Sequence, residues 1–186
     1  MRIAVIGTGG VGGYFGARLS EAGEDVTFIA RGAHLEAMKN KGLAIHSPLG
    51  NMHLDKIQCT DDPSTIAPVD IVMIAVKLWA TNEAIEAARP LLSEGTGIIS
   101  FQNGILAEEL LLKAFTKTHA MGGVANIAAL IEEPGVIRHN GTMASLFFGE
   151  LDNESSSRSK LLLEACEKAN ITASIPEDIN RAIWEK

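Results

Sequence analysis

The chain has 186 residues, 46% of them hydrophobic and 21% charged, which is the balance of a globular protein that buries a core and not of a disordered one. Its formal net charge of -7 argues against a nucleic-acid or anionic-membrane surface, although a local basic pocket for one phosphate is compatible with that total. No apolar run reaches membrane-spanning length, the start MRIAVIGTGG meets glycines too soon for a signal peptide, and a cytoplasmic location is expected. Cys59 and Cys166 lie far apart without CxxC spacing; they read as small buried side chains, with neither a metal site nor a disulfide framework.

In chain order, Arg2 to Ile6 is a short apolar run, followed by a glycine turn and a helix over Val11 to Ala22 with Val11, Phe15 and Leu19 at helical spacing. Asp25 to Ala30 reads as a second strand and Ala33 to Lys41 as a second helix ended by Gly42, so the two halves form a βαβ unit. Two short runs around Ser47-Pro48-Leu49-Gly50-Asn51 predict an inserted hairpin. VDIVMIAVK (69–77) and GTGIISFQNG (95–104) are apolar without alternation, as parallel strands covered on both faces must be, and each precedes a helical stretch, 81–92 and 107–115.

From His119 to Glu150 three short apolar segments are divided by Pro134-Gly135 and Asn140-Gly141, which predicts strands extending the sheet through hairpins. A polar join leads to a helix over Lys160 to Ile171 with Leu161, Leu162, Ala165 and Cys166 on one face, then a last short strand and a helix entered through Pro176. The expected fold is α/β, a Rossmann-type doubly wound, mostly parallel sheet with an antiparallel extension, and residues 1–186 are expected to form one domain whose last helix starts near 177. Trp79 and Trp184 read as packing residues.

IAVIGTGGVGGYFG places Gly7, Gly9 and Gly12 in a G-x-G-x-x-G pattern between a strand and a helix, which is the context that gives the pattern meaning. The first glycine permits the tight turn, the second lets a pyrophosphate approach the backbone, the third lets helix and strand pack, and free amides at the helix start meet the phosphates. Gly7, Thr8, Gly9, Gly10, Val11 and Gly12 are therefore the expected cofactor cradle. After the second strand, where NAD selection wants an acid on the adenosine ribose, stands Arg31. Read alone, its guanidinium is either a solvated charge or a fork for a ribose 2′-phosphate; the missing acid favours the fork, and NADP(H) is the expected cofactor.

The glycine-loop segment, then VKLWAT, SFQNGI, EEPGVIRHNG and IWEK, resemble in order the N-terminal part of the 2-dehydropantoate 2-reductases, the ketopantoate reductase family, over the whole chain. The resemblance implies NADPH-dependent reduction of 2-dehydropantoate to pantoate, on the route to pantothenate and coenzyme A. It assigns Lys77 of the VK motif to the cofactor, Asn103 to nicotinamide ribose and substrate, and the backbone near Ala128 to the nicotinamide. Both Lys77 and Asn103 follow parallel strands, at the carboxyl edge where open α/β sheets bind ligands. On their own residues, Lys77 is equally a solvated strand-end charge and Asn103-Gly104 an ordinary turn.

Hydride delivery to a ketone leaves negative charge developing on oxygen, so a proton donor is needed there. The resemblance gives that role to the lysine of a W-x-K motif, here Lys186, which would also contact substrate; without it a lysine in this place is a solvated charge. The family continues into a helical second domain that supplies further substrate contacts, and its absence from this sequence predicts poor turnover by the isolated chain. Asn126 and Ala128 stand where many relatives carry an aromatic and a small hydroxyl residue. The partner expected is a small 2-oxo acid, with a homodimer left open; the rival readings are a reductase of another 2-oxo acid and a non-catalytic NADP(H)-sensing module.

Overall fold

The computed structural model describes residues 1–186. Its centre is built from β1 (Arg2–Ile6), β6 (Ile71–Ile74) and β7 (Gly97–Ser100), the last two buried at every position. Strand periodicity divides their side chains between two cores: Ile3 and Val5 enter one cluster, Ala4 and Ile6 the other. The first core is covered by α1 (Gly10–Glu21), α2 (Gly32–Lys41) and α5 (Ser157–Lys168), through Phe15, Leu19, Leu35, Met38, Leu162 and Cys166. The second is covered by α3 (Thr81–Ala88) and α4 (Leu106–His119), through Ile85, Leu111 and Phe115. A sheet with helices on both faces explains the unbroken apolar strands, and the Rossmann-like expectation holds.

With β2 (Asp25–Ile29), β3 (Leu43–His46), β4 (Met52–Leu54), β5 (Gln58–Thr60), β8 (Ala120–Glu133) and β9 (Val136–Glu150), the strand order is β4-β3-β9-β8-β7-β6-β1-β2-β5, and β10 (Thr172–Ser174) also pairs with β9. Only β3–β4 and β8–β9 pair antiparallel. The chain leaves β1 toward β2 on one side and returns to β6 on the other, so the crevice for a ligand lies beyond the carboxyl ends of β1 and β6.

The three segments expected after His119 are two long strands. Pro134-Gly135 is the hairpin turn, but Asn140-Gly141 lies inside β9: Ala128 pairs with Asn140 and Ile127 with Ala144, leaving 141–143 as a bulge. His139 holds that bulge, donating from Nε2 to the Met143 carbonyl (3.1 Å) and accepting the Ser47 hydroxyl at Nδ1 (2.9 Å). β5, a three-residue edge strand, was not separable from the preceding hairpin by its sequence. Leu161 points outward from α5, Cys59 is only half-buried, and Trp79 and Trp184 are 85% and 72% exposed, so the packing role expected of the two tryptophans is corrected.

At the amino edge of the sheet, Arg158 of α5 grips Glu150 at the end of β9 with two parallel bonds (2.8 and 2.6 Å) and reaches the carbonyls of Thr118 (2.7 Å) and Thr96 (3.2 Å). Removing one partner of a mostly buried pair leaves the other charge uncompensated, so Arg158→Met should lower stability by about 2 to 4 kcal/mol. Urea denaturation measures it; a loss below about 0.5 kcal/mol, the scale of an ordinary surface substitution, would show the pair to be solvated.

Candidate functional site

Four chain segments converge on the crevice. β1 ends in a turn at Gly7 (φ +95) whose amide, with that of Thr8, bonds the Ile29 carbonyl at the end of β2 (3.2 and 3.4 Å). α1 then starts at Gly10, and its first amides lack both intrahelical acceptors and a side-chain cap, leaving them for a ligand. Each glycine here has a separate reason. A Cβ on Gly12 would meet the Gly7 carbonyl at 2.4 Å and Val5 at 2.8 Å, and one on Gly10 would meet the Ala129 carbonyl at 2.1 Å. A Cβ on Gly9 would meet nothing within 4 Å and would stand in the open cradle.

Lys77 follows the end of β6 and Asn103 the end of β7, where Gly104 (φ +83) turns the chain into α4. The side chain of Gln102 ties the two exits together, donating from Nε2 to the Val76 carbonyl (2.9 Å) and to Thr81 Oγ1 (3.0 Å). The fourth segment comes from β8, where Ala125, Asn126, Ile127 and Ala129 face the crevice. Together they enclose a cleft of about 870 Å³ lined also by Gly7, Gly9, Gly10, Val11, Lys77, Asn103, Trp79 and Lys186. A smaller cavity of about 290 Å³ continues on the other side of the glycine loop, lined by Gly7, Thr8, Gly9, the apolar Ile29, Ala30 and Ala84, and the rim residues Arg31, Glu83 and Asp61.

The structure thus brings the glycine loop, Lys77, Asn103 and Lys186 onto one cleft, and Arg31 onto its extension. Gly12 lies beneath the loop as a packing contact, and Ala128 is exposed at the bulge and lines neither cavity, although both its neighbours do. Two acids escaped the sequence reading. Glu83 of α3 bonds Arg31 Nη1 at 2.9 Å, an exposed pair formed across 52 positions of sequence. Glu108, in the first turn of α4, is 7% exposed and neither carboxylate oxygen has a hydrogen-bond partner.

Lys186 follows α6 (Ile179–Trp184) and donates from Nζ to the Ala125 carbonyl on β8. Partial burial lowers the pKa of its ammonium, while the Glu108 carboxylate acts to raise it. Burial pushes Glu108 up to about 7, with its own backbone amide and the Lys186 charge acting the other way.

The fold and crevice define a Rossmann-like α/β protein with a ligand cleft at the carboxyl edge of its sheet. The family model for ketopantoate reductase PanE/ApbA matches residues 3–153, and the chain belongs to that family. It is 36% identical over its whole length to the uncharacterized oxidoreductase YkpB of Bacillus subtilis (strain 168), covering 61% of it, and 32% identical to the 2-dehydropantoate 2-reductase of Pyrococcus abyssi (strain GE5 / Orsay), covering all of this chain and 60% of that protein. The crystal structure of 2-dehydropantoate 2-reductase from Geobacter metallireducens GS-15 superposes on all of this chain and 61% of its own, with a TM-score of 0.93 at 34% identity. The chain therefore spans about 60% of the length of these relatives. No helix is long and apolar enough to cross a membrane.

Two outcomes check the site. Gly10→Ala should cost about 1 to 3 kcal/mol because the new methyl meets backbone and not a movable side chain, whereas Gly9→Ala should leave denaturant stability nearly unchanged; equal losses would refute the division of roles. A carboxyl whose folded pKa is raised from 4.5 to about 7 favours folding fully below 4.5, and that contribution is lost as pH rises through about 7. Glu108→Gln should accordingly gain about 1 to 3 kcal/mol on the native protein between pH values near 4 and near 8. A pH-independent difference in urea unfolding would mean that the carboxylate is hydrated.

Proposed function

We propose that this chain forms the cofactor-binding part of an NADPH-dependent 2-dehydropantoate 2-reductase, a soluble enzyme serving pantothenate and coenzyme A synthesis, with residues 1–186 as one folding unit. The observation that carries the reading is the convergence of the glycine loop, Lys77, Asn103 and Lys186 on one cleft in a chain of this family. The loop fits a dinucleotide: Gly9 leaves the cradle open, the first amides of α1 are unpaired, and an apolar slot lies on one side with polar groups on the other. Gly7 to Val11 would hold the pyrophosphate, the Ile29–Ala30 slot the adenine, and Arg31 the ribose 2′-phosphate.

A bound reduced nicotinamide would supply the hydride for the substrate ketone. Asn103 orients the carbonyl and the nicotinamide ribose by its side-chain amide, and Lys77 places positive charge beside the cofactor. Lys186, as the ammonium, meets the carbonyl oxygen and gives up one proton as that oxygen becomes an alcohol, leaving a neutral amine. Its lowered pKa suits this task, because a less basic ammonium releases its proton more readily near neutral pH. Asn126 lines the substrate end of the cleft where many relatives carry an aromatic, and this favours a second reading in which another small 2-oxo acid is reduced. Initial rates over a panel of 2-oxo acids separate the two.

In Arg31→Ala, NADPH affinity should fall by about 1 to 3 kcal/mol with NADH affinity almost unchanged. Glu83→Gln frees the guanidinium and should tighten NADPH by up to about fivefold, the scale of one exposed ion pair. Fluorescence titration of both nucleotides measures both variants, and parallel changes for NADPH and NADH would count against the assignment.

A further inference from the structure

Glu108 has no part in the reading above, yet it is a buried carboxyl without a hydrogen-bond partner whose charge acts on the group assigned to proton transfer. The packing explains why. Val124 of β8 clusters with Ile179 and Ile183 of α6, and Ile105, the residue before α4, packs against that cluster, so the start of α4 and α6 meet at β8. Glu108 sits in that turn, and Lys186 follows α6 and bonds back to the β8 carbonyl of Ala125. The carboxyl has no hydrogen-bond donor of its own to neutralise it, which is costly unless a charge nearby compensates.

Of the other charges on the surrounding elements, Glu109, Lys113 and Lys117 of α4 itself are exposed to solvent, and most of the rest are paired. On α3, Glu83 pairs with Arg31 and Glu86 with Arg89; on α6, Arg181 pairs with Glu185; at the far end of β8, Glu132 pairs with Arg138 and His46. Lys186 is the charge that bears on Glu108, and Glu108 the charge that bears on Lys186.

We propose that Glu108 is a positioning residue for Lys186, a buried counter-charge that keeps the lysine protonated until its proton is needed. This rests on the reading of Lys186 as proton donor. An ionised Glu108 favours the ammonium; a protonated Glu108 releases that hold, so the two groups titrate as a coupled pair and not as independent sites. Glu108 touches neither reacting atom in this arrangement and acts only through the lysine.

The test follows the Lys186 side chain by NMR on protein carrying ¹³C-labelled lysine, with the resonance assigned by its loss in Lys186→Met. The native protein should show an inflection of that resonance near the pH where Glu108 ionises, about 7. In Glu108→Gln the inflection should vanish and the lysine midpoint should move to lower pH, while Glu108→Asp, which keeps a carboxylate, should retain the inflection. The basic limb of the turnover profile should follow the lysine midpoint. A Lys186 curve without the inflection in native protein, or identical in native protein and Glu108→Gln, overturns the proposal. Failure of the underlying reading looks different: Lys186→Met would turn over substrate at the native rate while the coupling of the two titrations stood.

Discussion

The turn from β1 into α1 is crowded from three directions and open in a fourth. Gly7 takes a left-handed conformation against Val76, Gly12 lies on the Gly7 carbonyl, and Gly10 lies under the Ala129 carbonyl of β8, so these three positions are closed to side chains by protein backbone or close packing. Only Gly9 faces space. That asymmetry does two things at once: it lets β8 cross over the start of α1, closing one wall of the cleft, and it leaves the helix amides exposed toward the cavity. The cleft exists because the loop is bare.

A second regularity concerns charge. The chain carries a net -7, yet the groups that line its cleft and rim include Arg31, Lys77 and Lys186. Two of these cations are each faced by one acid from the helices behind the crevice, Arg31 by Glu83 of α3 and Lys186 by Glu108 of α4. The two pairings differ in kind. The Arg31 pair is exposed and weak, so an arriving phosphate can compete for it; Glu108 makes no bond to Lys186, which is exposed, and acts on it only through the field of a buried carboxyl.

The first half of the fold was legible because its signals are local: apolar runs without alternation, Gly23 and Gly42 at helix ends, and glycines between strand and helix. The glycine loop, Lys77, Asn103 and Lys186 were legible as a set through the family resemblance, and the structure brings them to one cleft. What failed to show in the sequence depended on distant partners. Asn140-Gly141 carries the same turn chemistry whether it closes a hairpin or forms a bulge, and the register of β8 decides between them. Gly10 reads as part of a phosphate loop until the backbone of β8 is seen against it. Glu83 and Glu108 carry no signal in the sequence, since neither the 52 positions between Arg31 and Glu83 nor the burial of Glu108 leaves a local trace.

Isothermal titration of the 186-residue chain with NADPH and, separately, with NADH bears most directly on the cleft as a cradle for the phosphorylated dinucleotide. The expected result is saturable binding of both, with NADPH tighter by about tenfold or more, the margin one charge-assisted fork supplies. Equal affinities, or binding of neither nucleotide, would contradict it.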